Sequence, residues 1–273
     1  MLTLVTMHVV AGAAAYAVTP ASRHDAPPDR PSTRRLEGSR RHEAWRGDAG
    51  TRHHVLVGPG RDEYDDAALR RVYDGKAASY RWASLVNDTL FGAARLRRGV
   101  MTQARGEVLD VACGTGENFG LLRGVDSLTA VDLSPAMLDQ ARARAGRLGL
   151  AVDLLEMSAQ QLDFPDGAFE TVTTAMSTCT FPDPVGALRE MARVTRPEGR
   201  LLLVEHGRSR VDWIARVQDR RADRHYRRTG CRSNQDVTAV LTSAGLCIDA
   251  TRTRTTGVFT AIVAHPPEPT RPG

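Results

Sequence analysis

Lysine is almost absent from this 273-residue chain, since Lys76 is the only one among 37 basic residues and the others are arginines. The formal net charge is +5, yet the basic residues are dispersed, and no basic run alternates with aromatic side chains. Proteins that bind nucleic acid gather their positive charge on one face or along one helix. The composition therefore predicts no nucleic-acid partner.

Cysteine is also scarce, with four in the chain: Cys113, Cys179, Cys231 and Cys247. No two of them stand in a CxxC spacing, and no group of histidines completes the sequence spacing of a zinc site. This pattern predicts reduced, mostly buried thiols in a cytoplasmic protein that has no metal site.

Long apolar runs are missing except near the N-terminus, where Leu2–Val18 contains an Ala15-Tyr16-Ala17 segment like a signal-peptidase site. No basic residue precedes this run, and Thr3, Thr6 and His8 interrupt it. A membrane span needs about 20 cleaner residues. Two interpretations stay open: a real targeting or anchoring segment, or an extension from an over-long start-site assignment.

Periodic apolar content is low between Pro20 and Arg61, which are rich in Pro, Arg, His, Asp and Gly. Such a segment cannot bury enough apolar surface to offset the entropy of ordering it. We therefore predict a disordered extension over residues 1–61, one domain over residues 62–265 and a disordered tail over residues 266–273.

Short apolar segments alternate with amphipathic ones inside that domain. Strands are predicted at Val108–Ala112, Leu128–Val131, Val152–Leu155, Phe169–Ala175 and Leu201–Val204. Helices are predicted between them, from Ser134 to Gly149 and over Pro184–Val194, and one or two more before the first strand, over Asp65–Ala104. This alternation predicts an α/β fold with a Rossmann-like, doubly wound, mostly parallel sheet.

The end of the domain follows a different pattern. A turn is predicted at Arg196–Gly199 and a helix at Ser233–Ser243. Two strands, Cys247–Thr253 and Val258–Ala264, then read as a hairpin. The fold class is thus a mostly parallel sheet that closes with a C-terminal antiparallel hairpin.

The segment from Asp110 to Asn118 (DVACGTGEN) links the first predicted strand to a predicted helix. Gly114 and Gly116 permit a tight turn and a close approach of a ligand to the backbone. Free N–H groups at a helix start attract a carboxylate or a phosphate. Many nucleotide-binding proteins share this GxG signal.

Two details separate this loop from a dinucleotide-binding loop. The dinucleotide fingerprint has a third glycine three positions after the second, where Phe119 stands here. Asp110 also lies four residues before Gly114, where its carboxylate can receive the ammonium of an amino-acid ligand. The ligand implied is zwitterionic rather than a pyrophosphate.

Asp132 ends the second predicted strand, just before Ser134 and Pro135. A carboxylate at this distance after the glycine loop can accept hydrogen bonds from both hydroxyls of a ribose. The alternative is a capping role at the start of the following helix.

Four segments together resemble the class I methyltransferases of the type 11 group: Leu109–Asn118, Ala130–Leu138, Gln161–Asp166 and Arg189–Glu205. That group includes menaquinone, ubiquinone and bacterial phosphatidylethanolamine methyltransferases. The resemblance implies S-adenosylmethionine as cofactor. It also implies in-line transfer of its methyl group to a small-molecule or lipid acceptor.

The resemblance further implies which residues bind the cofactor. Asp110, Gly114 and Gly116 hold the methionine portion, and Asp132 holds the ribose. Ser158 and Ala159 border the adenine, and Met176 lies under the sulfonium. The complete predicted set is Asp110, Ala112, Gly114, Gly116, Asn118, Asp132, Leu133, Ser158, Ala159 and Met176. Relatives commonly have an acid at the position of Ser158, which weakens the expected contact with the adenine amino group.

The methyl acceptor is expected beyond the carboxyl ends of the strands. That location points to Thr178–Phe181, to Glu205–Arg208 and to the helix that carries Tyr80. His206 and Tyr80 are the predicted catalytic residues. For His206, a role as base or acceptor-orienting group stands beside one in fixing the loop.

The segment Glu205–Ser209, with Trp213 and Cys231 further on, resembles phospholipid and thiol methyltransferases more than quinone enzymes. Cys231 can serve packing or chemistry. Six arginines lie within Arg216–Arg228, which either faces an anionic headgroup at a membrane surface or is a solvated helix face.

Two other functions compete with methyl transfer. One is an NAD(P)-dependent oxidoreductase on a Rossmann fold, against which the missing third glycine and Asp110 both argue. The other is a protein that binds S-adenosylmethionine without catalysis, since a fold alone does not determine activity.

Overall fold

A computed structural model describes residues 64–90 and 92–267 of the chain. The predicted extension over residues 1–61 and the question of a targeting segment lie outside the described residues, as does most of the predicted tail. In the described part, no helix is long and apolar enough to cross a membrane.

Two helices precede the sheet, α1 (Asp66–Leu90) and α2 (Ala93–Met101). This agrees with the amphipathic pattern predicted for the segment. Leu96, Val100 and Met101 of α2 are buried against the sheet. Asp74 of α1 accepts a 2.5 Å hydrogen bond from the Ser134 hydroxyl, which ties α1 to the next helical layer.

The chain then alternates between strands and helices. The strands are β1 (Glu107–Val111), β2 (Ser127–Asp132), β3 (Asp153–Glu156), β4 (Phe169–Ala175), β5 (Thr195–His206), β6 (Cys247–Arg254) and β7 (Phe259–His265). The helices are α3 (Pro135–Leu148), α4 (Pro184–Val194), α5 (Asp212–Thr229) and α6 (Val237–Ser243).

The seven strands form one sheet in the order β3-β2-β1-β4-β5-β7-β6. The first five pair in parallel, whereas β7 pairs antiparallel with both β5 and β6. The predicted fold class is therefore confirmed, including the antiparallel C-terminal hairpin. The order reverses between β1 and β4, and this reversal creates a crevice at the carboxyl edge.

Both faces of the central strands are buried. Leu201 and Leu203 of β5 pack into one core layer, and Leu202 and Val204 pack into the other. Successive side chains of a strand point to opposite faces, so a strand covered on both sides is apolar at every position. This explains the uninterrupted apolar run from which β5 was predicted.

The helix starts follow the capping rules. The Ser134 hydroxyl accepts a hydrogen bond from the Met137 N–H, Pro135 is the first residue of α3, and Gly149 ends the helix in a left-handed conformation. Asp183 caps α4 in the same way, accepting from Val185 and Gly186.

Two predicted boundaries are wrong. The helix expected from Ser233 begins only at Val237, because the carbonyls of Ser233 and Gln235 are engaged by the Gln218 side chain and the Arg208 N–H. The turn expected at Arg196–Gly199 is part of β5, where these residues form an irregularity between two paired stretches.

Candidate active site

A cleft of about 660 Å³ lies at the carboxyl edge of the parallel strands. Its walls come from α1, from the loops after β1, β2, β3 and β4, and from α3. The lining residues are Asp66, Leu69, Tyr73, Tyr80, Ala112, Gly114, Asp132, Leu133, Met137, Met157, Ser158, Ala159, Gln160, Ala175, Met176, Ser177, Thr180, Phe181 and Pro182.

The glycine loop forms the floor of this cleft. Gly114 has a φ of +56°, and a Cβ built on it meets only the Tyr80 ring, at 3.8 Å. Gly116 has a φ of +76°, and its Cβ would lie 2.6 Å from the Phe119 ring. Gly114 therefore leaves room for a ligand, whereas Gly116 allows the Phe119 ring to pack under the loop.

The α-helix predicted after the glycine loop is absent from the described residues. A single 3₁₀ turn, Phe119–Leu121, stands there instead, and the hydrogen bonds around it link residues three apart. Asn118 precedes this turn with a right-handed helical backbone, and its side-chain amide donates to Asp110. The N–H groups expected at a helix start therefore belong to a loop and a 3₁₀ turn, and their binding of an anion stays a prediction.

Asp110 lies beneath the loop and is completely buried. Its Oδ1 accepts hydrogen bonds from the Thr173 hydroxyl at 2.7 Å and the Asn118 amide at 2.9 Å, whereas its Oδ2 has no partner. Burial raises the pKa of Asp110 to about 6, although these two hydrogen bonds oppose the shift. The unpaired oxygen leaves one strong acceptor for a cationic group.

Asp132 joins the glycine loop to the start of α3. Its Oδ2 accepts from the Gly114 N–H at 2.8 Å, and its Oδ1 accepts from the Ser134 N–H at 2.9 Å. The carboxylate lines the cleft while making both bonds. The structure thus contains the capping contact that was the alternative to ribose binding, and each carboxylate oxygen can accept a further bond.

Two residues on the cleft wall have strained backbones. Ala112 has a φ of +52° and Met176 a φ of +58°, which residues other than glycine rarely adopt. The Met176 N–H is bonded to the Val204 carbonyl at 2.8 Å, which holds it in place. Such strain is concentrated at functional sites.

Tyr73 and Tyr80 are the two aromatic residues that α1 contributes to the cleft lining. Their ring centroids are 6.2 Å apart in an edge-to-face arrangement. Burial raises the pKa of both phenols far above neutral pH. Each therefore stays protonated and can donate a hydrogen bond to a bound molecule.

Ser158 and Glu205 support neighbouring loops. The Ser158 hydroxyl accepts from the Gln160 N–H at 3.1 Å. Glu205 is fully buried at the end of β5, and its carboxylate accepts from the N–H groups of Ser177 and Thr178 at 3.2 and 3.3 Å. Glu205 thus shapes the loop after β4, a role that the sequence analysis did not identify.

His206 is not among the residues that line the cleft, and it contacts two cysteines. Its Nε2 lies 3.1 Å from Cys179 Sγ and 3.4 Å from Cys231 Sγ. Burial opposes the charged imidazole, but the charges of Cys231 and Glu205 outweigh it and raise the pKa of His206 to about 8. The Cys179 hydrogen bond and His206 lower the pKa of Cys231 well below its usual range.

The cleft brings together most of the predicted site residues. On its wall lie Tyr80, Ala112, Gly114, Asp132, Leu133, Ser158, Ala159 and Met176. Asp110, Gly116, Asn118 and His206 are not among the lining residues, and their contact with a cofactor or an acceptor stays a prediction. The sequence analysis missed the contact of Asp74 with Ser134, the bonds from Glu205 to the loop after β4 and the pairing of Cys179 with Cys231, because the partners are distant in the sequence.

Comparison with known proteins agrees with this geometry. A family model described as a methyltransferase domain matches residues 109–203. A phosphatidylethanolamine N-methyltransferase from Cereibacter sphaeroides is 37% identical over 141 residues, which are 49% of this chain and 68% of that protein. The mitochondrial methyltransferase OMS1 of Saccharomyces cerevisiae is 30% identical over 193 residues; the match covers 64% of this chain but only 41% of OMS1.

Solved structures share the fold. A methyltransferase from Haloferax volcanii, solved with the Trm112 methyltransferase activator, superposes with a TM-score of 0.58 at 18% identity, covering 72% of this chain and 98% of that one. A methyltransferase from Bacillus halodurans has a TM-score of 0.51 at 27% identity, covering 59% and 71%. The oxidoreductase alternative is not favoured by these relatives. The chain belongs to the methyltransferase family that uses S-adenosylmethionine as its cofactor.

Proposed function

We propose that this protein transfers the methyl group of S-adenosylmethionine to a lipid or quinone-like acceptor by in-line displacement. The observation that carries the proposal is the cleft itself. In a member of this family, the glycine loop, Asp132 and Met176 line one cavity at the carboxyl edge of the parallel strands.

In the proposed complex, the cofactor lies across the loops after β1, β2 and β4. The carboxylate of Asp132 accepts from the ribose hydroxyls with its remaining lone pairs. The open Gly114 backbone lets the methionine portion approach, and the unpaired Oδ2 of Asp110 provides negative charge beneath its ammonium. Ser158 and Ala159 border the adenine, and Met176 lies under the sulfonium.

The acceptor side of the cleft is largely apolar, with Leu69, Phe181 and the rings of Tyr73 and Tyr80 on its wall. This lining suits an apolar or amphipathic molecule. The names of two relatives point in the same direction, since one is a phosphatidylethanolamine N-methyltransferase and another a ubiquinone/menaquinone C-methyltransferase, from Pseudoalteromonas translucida.

When bound, S-adenosylmethionine supplies an electrophilic methyl group on a positively charged sulfur. The protein's task is to align the acceptor with that methyl group and to exclude water. Tyr80 orients the acceptor by donating a hydrogen bond from its protonated phenol, since burial keeps its proton in place. We further propose that the reaction takes place in the cytoplasm, with peripheral membrane contact when the acceptor is a lipid.

An acceptor screen tests this function. The full chain is incubated with S-adenosylmethionine carrying a labelled methyl group and with quinones, vesicles of amino-phospholipids or small thiols. We expect label in a lipid or quinone acceptor, and a Tyr80→Phe variant at least about 10-fold slower with unchanged cofactor affinity.

Tyr64→Phe is the matched control, because the Tyr64 hydroxyl bonds the Arg227 carbonyl outside the cleft lining. Equal rates for Tyr80→Phe and Tyr64→Phe would remove Tyr80 from the reaction. Tight cofactor binding with no labelled product from any acceptor would overturn methyl transfer in favour of a binding protein.

A further inference from the structure

Two thiols and an imidazole from three separate segments meet beside the acceptor side of the cleft. Cys179 comes from the loop after β4, His206 from the end of β5 and Cys231 from just after α5. The two sulfurs are 3.4 Å apart, and His206 Nε2 lies 3.1 Å and 3.4 Å from them. One ligand atom from each residue therefore lies within 4.8 Å of the others.

The backbone holds the two cysteine segments together. The Arg232 N–H donates to the Cys179 carbonyl at 2.8 Å, and the Arg232 guanidinium donates to the Phe181 carbonyl at 2.7 Å. Gly230, with a φ of +70°, turns the chain at the end of α5, where a Cβ would lie 2.7 Å from Leu69. The cluster is thus held by contacts outside itself, as a preformed ligand set requires.

These donors match zinc in kind and in spacing. A tetrahedral zinc ion with Zn–S bonds of about 2.3 Å and a Zn–N bond of about 2.0 Å separates its two sulfurs by about 3.8 Å, and each sulfur from the nitrogen by about 3.5 Å. The observed separations need to open by roughly 0.5 Å or less to reach this geometry. A disulfide needs the two sulfurs to approach to about 2.05 Å, a larger movement, and leaves the imidazole without a role.

We propose that Cys179, His206 and Cys231 bind one zinc ion. Within the described residues, these three ligand atoms lie within 4.8 Å of one another, and the His225 side chain lies next to Cys231. Three protein ligands with one open position are typical of catalytic rather than structural zinc sites. Water, an acceptor heteroatom or the His225 imidazole takes the fourth position.

The open position of the proposed zinc ion lies close to the cleft. Ser177, Thr180 and Phe181, which flank Cys179, line the cleft. The cluster therefore adjoins the acceptor side, and any role in activating an acceptor rests on the proposed function.

Metal analysis of the full chain tests the site independently of methyl transfer. The reduced protein is stripped with a chelator and titrated with zinc against a chromophoric competitor, and cobalt is used as a spectroscopic probe. We expect one zinc per chain and the sulfur-to-cobalt charge-transfer band with intense visible bands of a tetrahedral cobalt site. Cys179→Ser and Cys231→Ser should each weaken zinc binding by more than about 100-fold.

Cys247→Ser is the matched control, because Cys247 is an exposed thiol outside the cluster. It should bind zinc like the wild type. S-adenosylmethionine titration of each variant checks that the fold persists, and His206→Gln replaces any cysteine variant that does not fold.

Three outcomes would overturn the zinc site. They are less than one zinc per wild-type chain, equal losses in Cys247→Ser and Cys179→Ser, or a metal-free Cys179–Cys231 disulfide in protein purified without reductant. If zinc fails to bind while S-adenosylmethionine still binds, the zinc site is refuted and the proposed function is not affected. If zinc binds and no methyl transfer occurs, only the proposed function falls.

Discussion

The cofactor side and the acceptor side of the cleft are assembled in different ways. On the cofactor side, Asp132 bonds Ser134 and, 18 residues away, Gly114. Two supporting contacts there, Thr173 with Asp110 and Ser134 with Asp74, span 63 and 60 residues. On the acceptor side, Cys179 meets Cys231 across 52 residues. Short-range contacts leave a motif in the sequence, whereas long-range contacts exist only once the chain has folded.

On the cofactor side, the substitution with the largest expected loss of folding stability is Gly116→Ala. A Cβ there lies 2.6 Å from the Phe119 ring at a φ of +76°, so the variant adds a clash to the left-handed strain. We expect it to lower the free energy of unfolding by about 2–5 kcal/mol in urea or guanidinium titrations.

Gly149→Ala separates the two costs, because Gly149 has a φ of +65° with nothing within 4 Å of its Cβ position. It should lose only about 1–2 kcal/mol. Equal losses in the two variants would show that the Phe119 ring moves aside and that the loop is less tightly packed than described.

The pH dependence of stability tests whether Asp110 is a buried carboxylate with a raised pKa. Because burial raises its folded pKa to about 6 from a reference value of 3.8, the folded state binds the extra proton between these values. The contribution of Asp110 to stability is therefore favourable at low pH and is lost as the pH rises through about 6.

Asp110→Asn removes this dependence. The unfolding free energy of the wild type relative to the variant should fall by up to about 3 kcal/mol between pH 4 and pH 7, measured without cofactor. A difference that does not change with pH would contradict the buried, unpaired carboxylate.

The smallest expected effect concerns the contact that joins α1 to the cofactor side. Asp74→Ala removes the acceptor for the Ser134 hydroxyl, and we expect a loss of about 1 kcal/mol in thermal or chemical unfolding. The exposed Asp163→Ala is the control and should stay within about 0.5 kcal/mol of the wild type. No difference between them would mean that the Asp74–Ser134 hydrogen bond contributes nothing measurable to holding α1 in place.

The same contrast explains what could be predicted from the sequence. Apolar runs, the Ser134-Pro135 cap and the glycine loop are local signals, and they located the parallel strands, α3 and the floor of the cleft. The late start of α6 was missed because distant partners, Gln218 and Arg208, bind the carbonyls before it.

The Cys179–His206–Cys231 cluster was missed for the same kind of reason. Its members are 27, 25 and 52 residues apart, and no CxxC spacing marks them. A search for ligands close together in the sequence cannot detect a set that the sheet and α5 bring together.

Calorimetric titration of the full chain with S-adenosylmethionine tests whether the cleft is the cofactor site. NAD is the competing ligand, and Asp132→Asn and the exposed Asp139→Asn are the paired variants. We expect the wild type and Asp139→Asn to bind S-adenosylmethionine and not NAD, and Asp132→Asn to bind S-adenosylmethionine about 10–100-fold more weakly. Unchanged affinity in a folded Asp132→Asn variant, or a preference for NAD, would contradict this expectation.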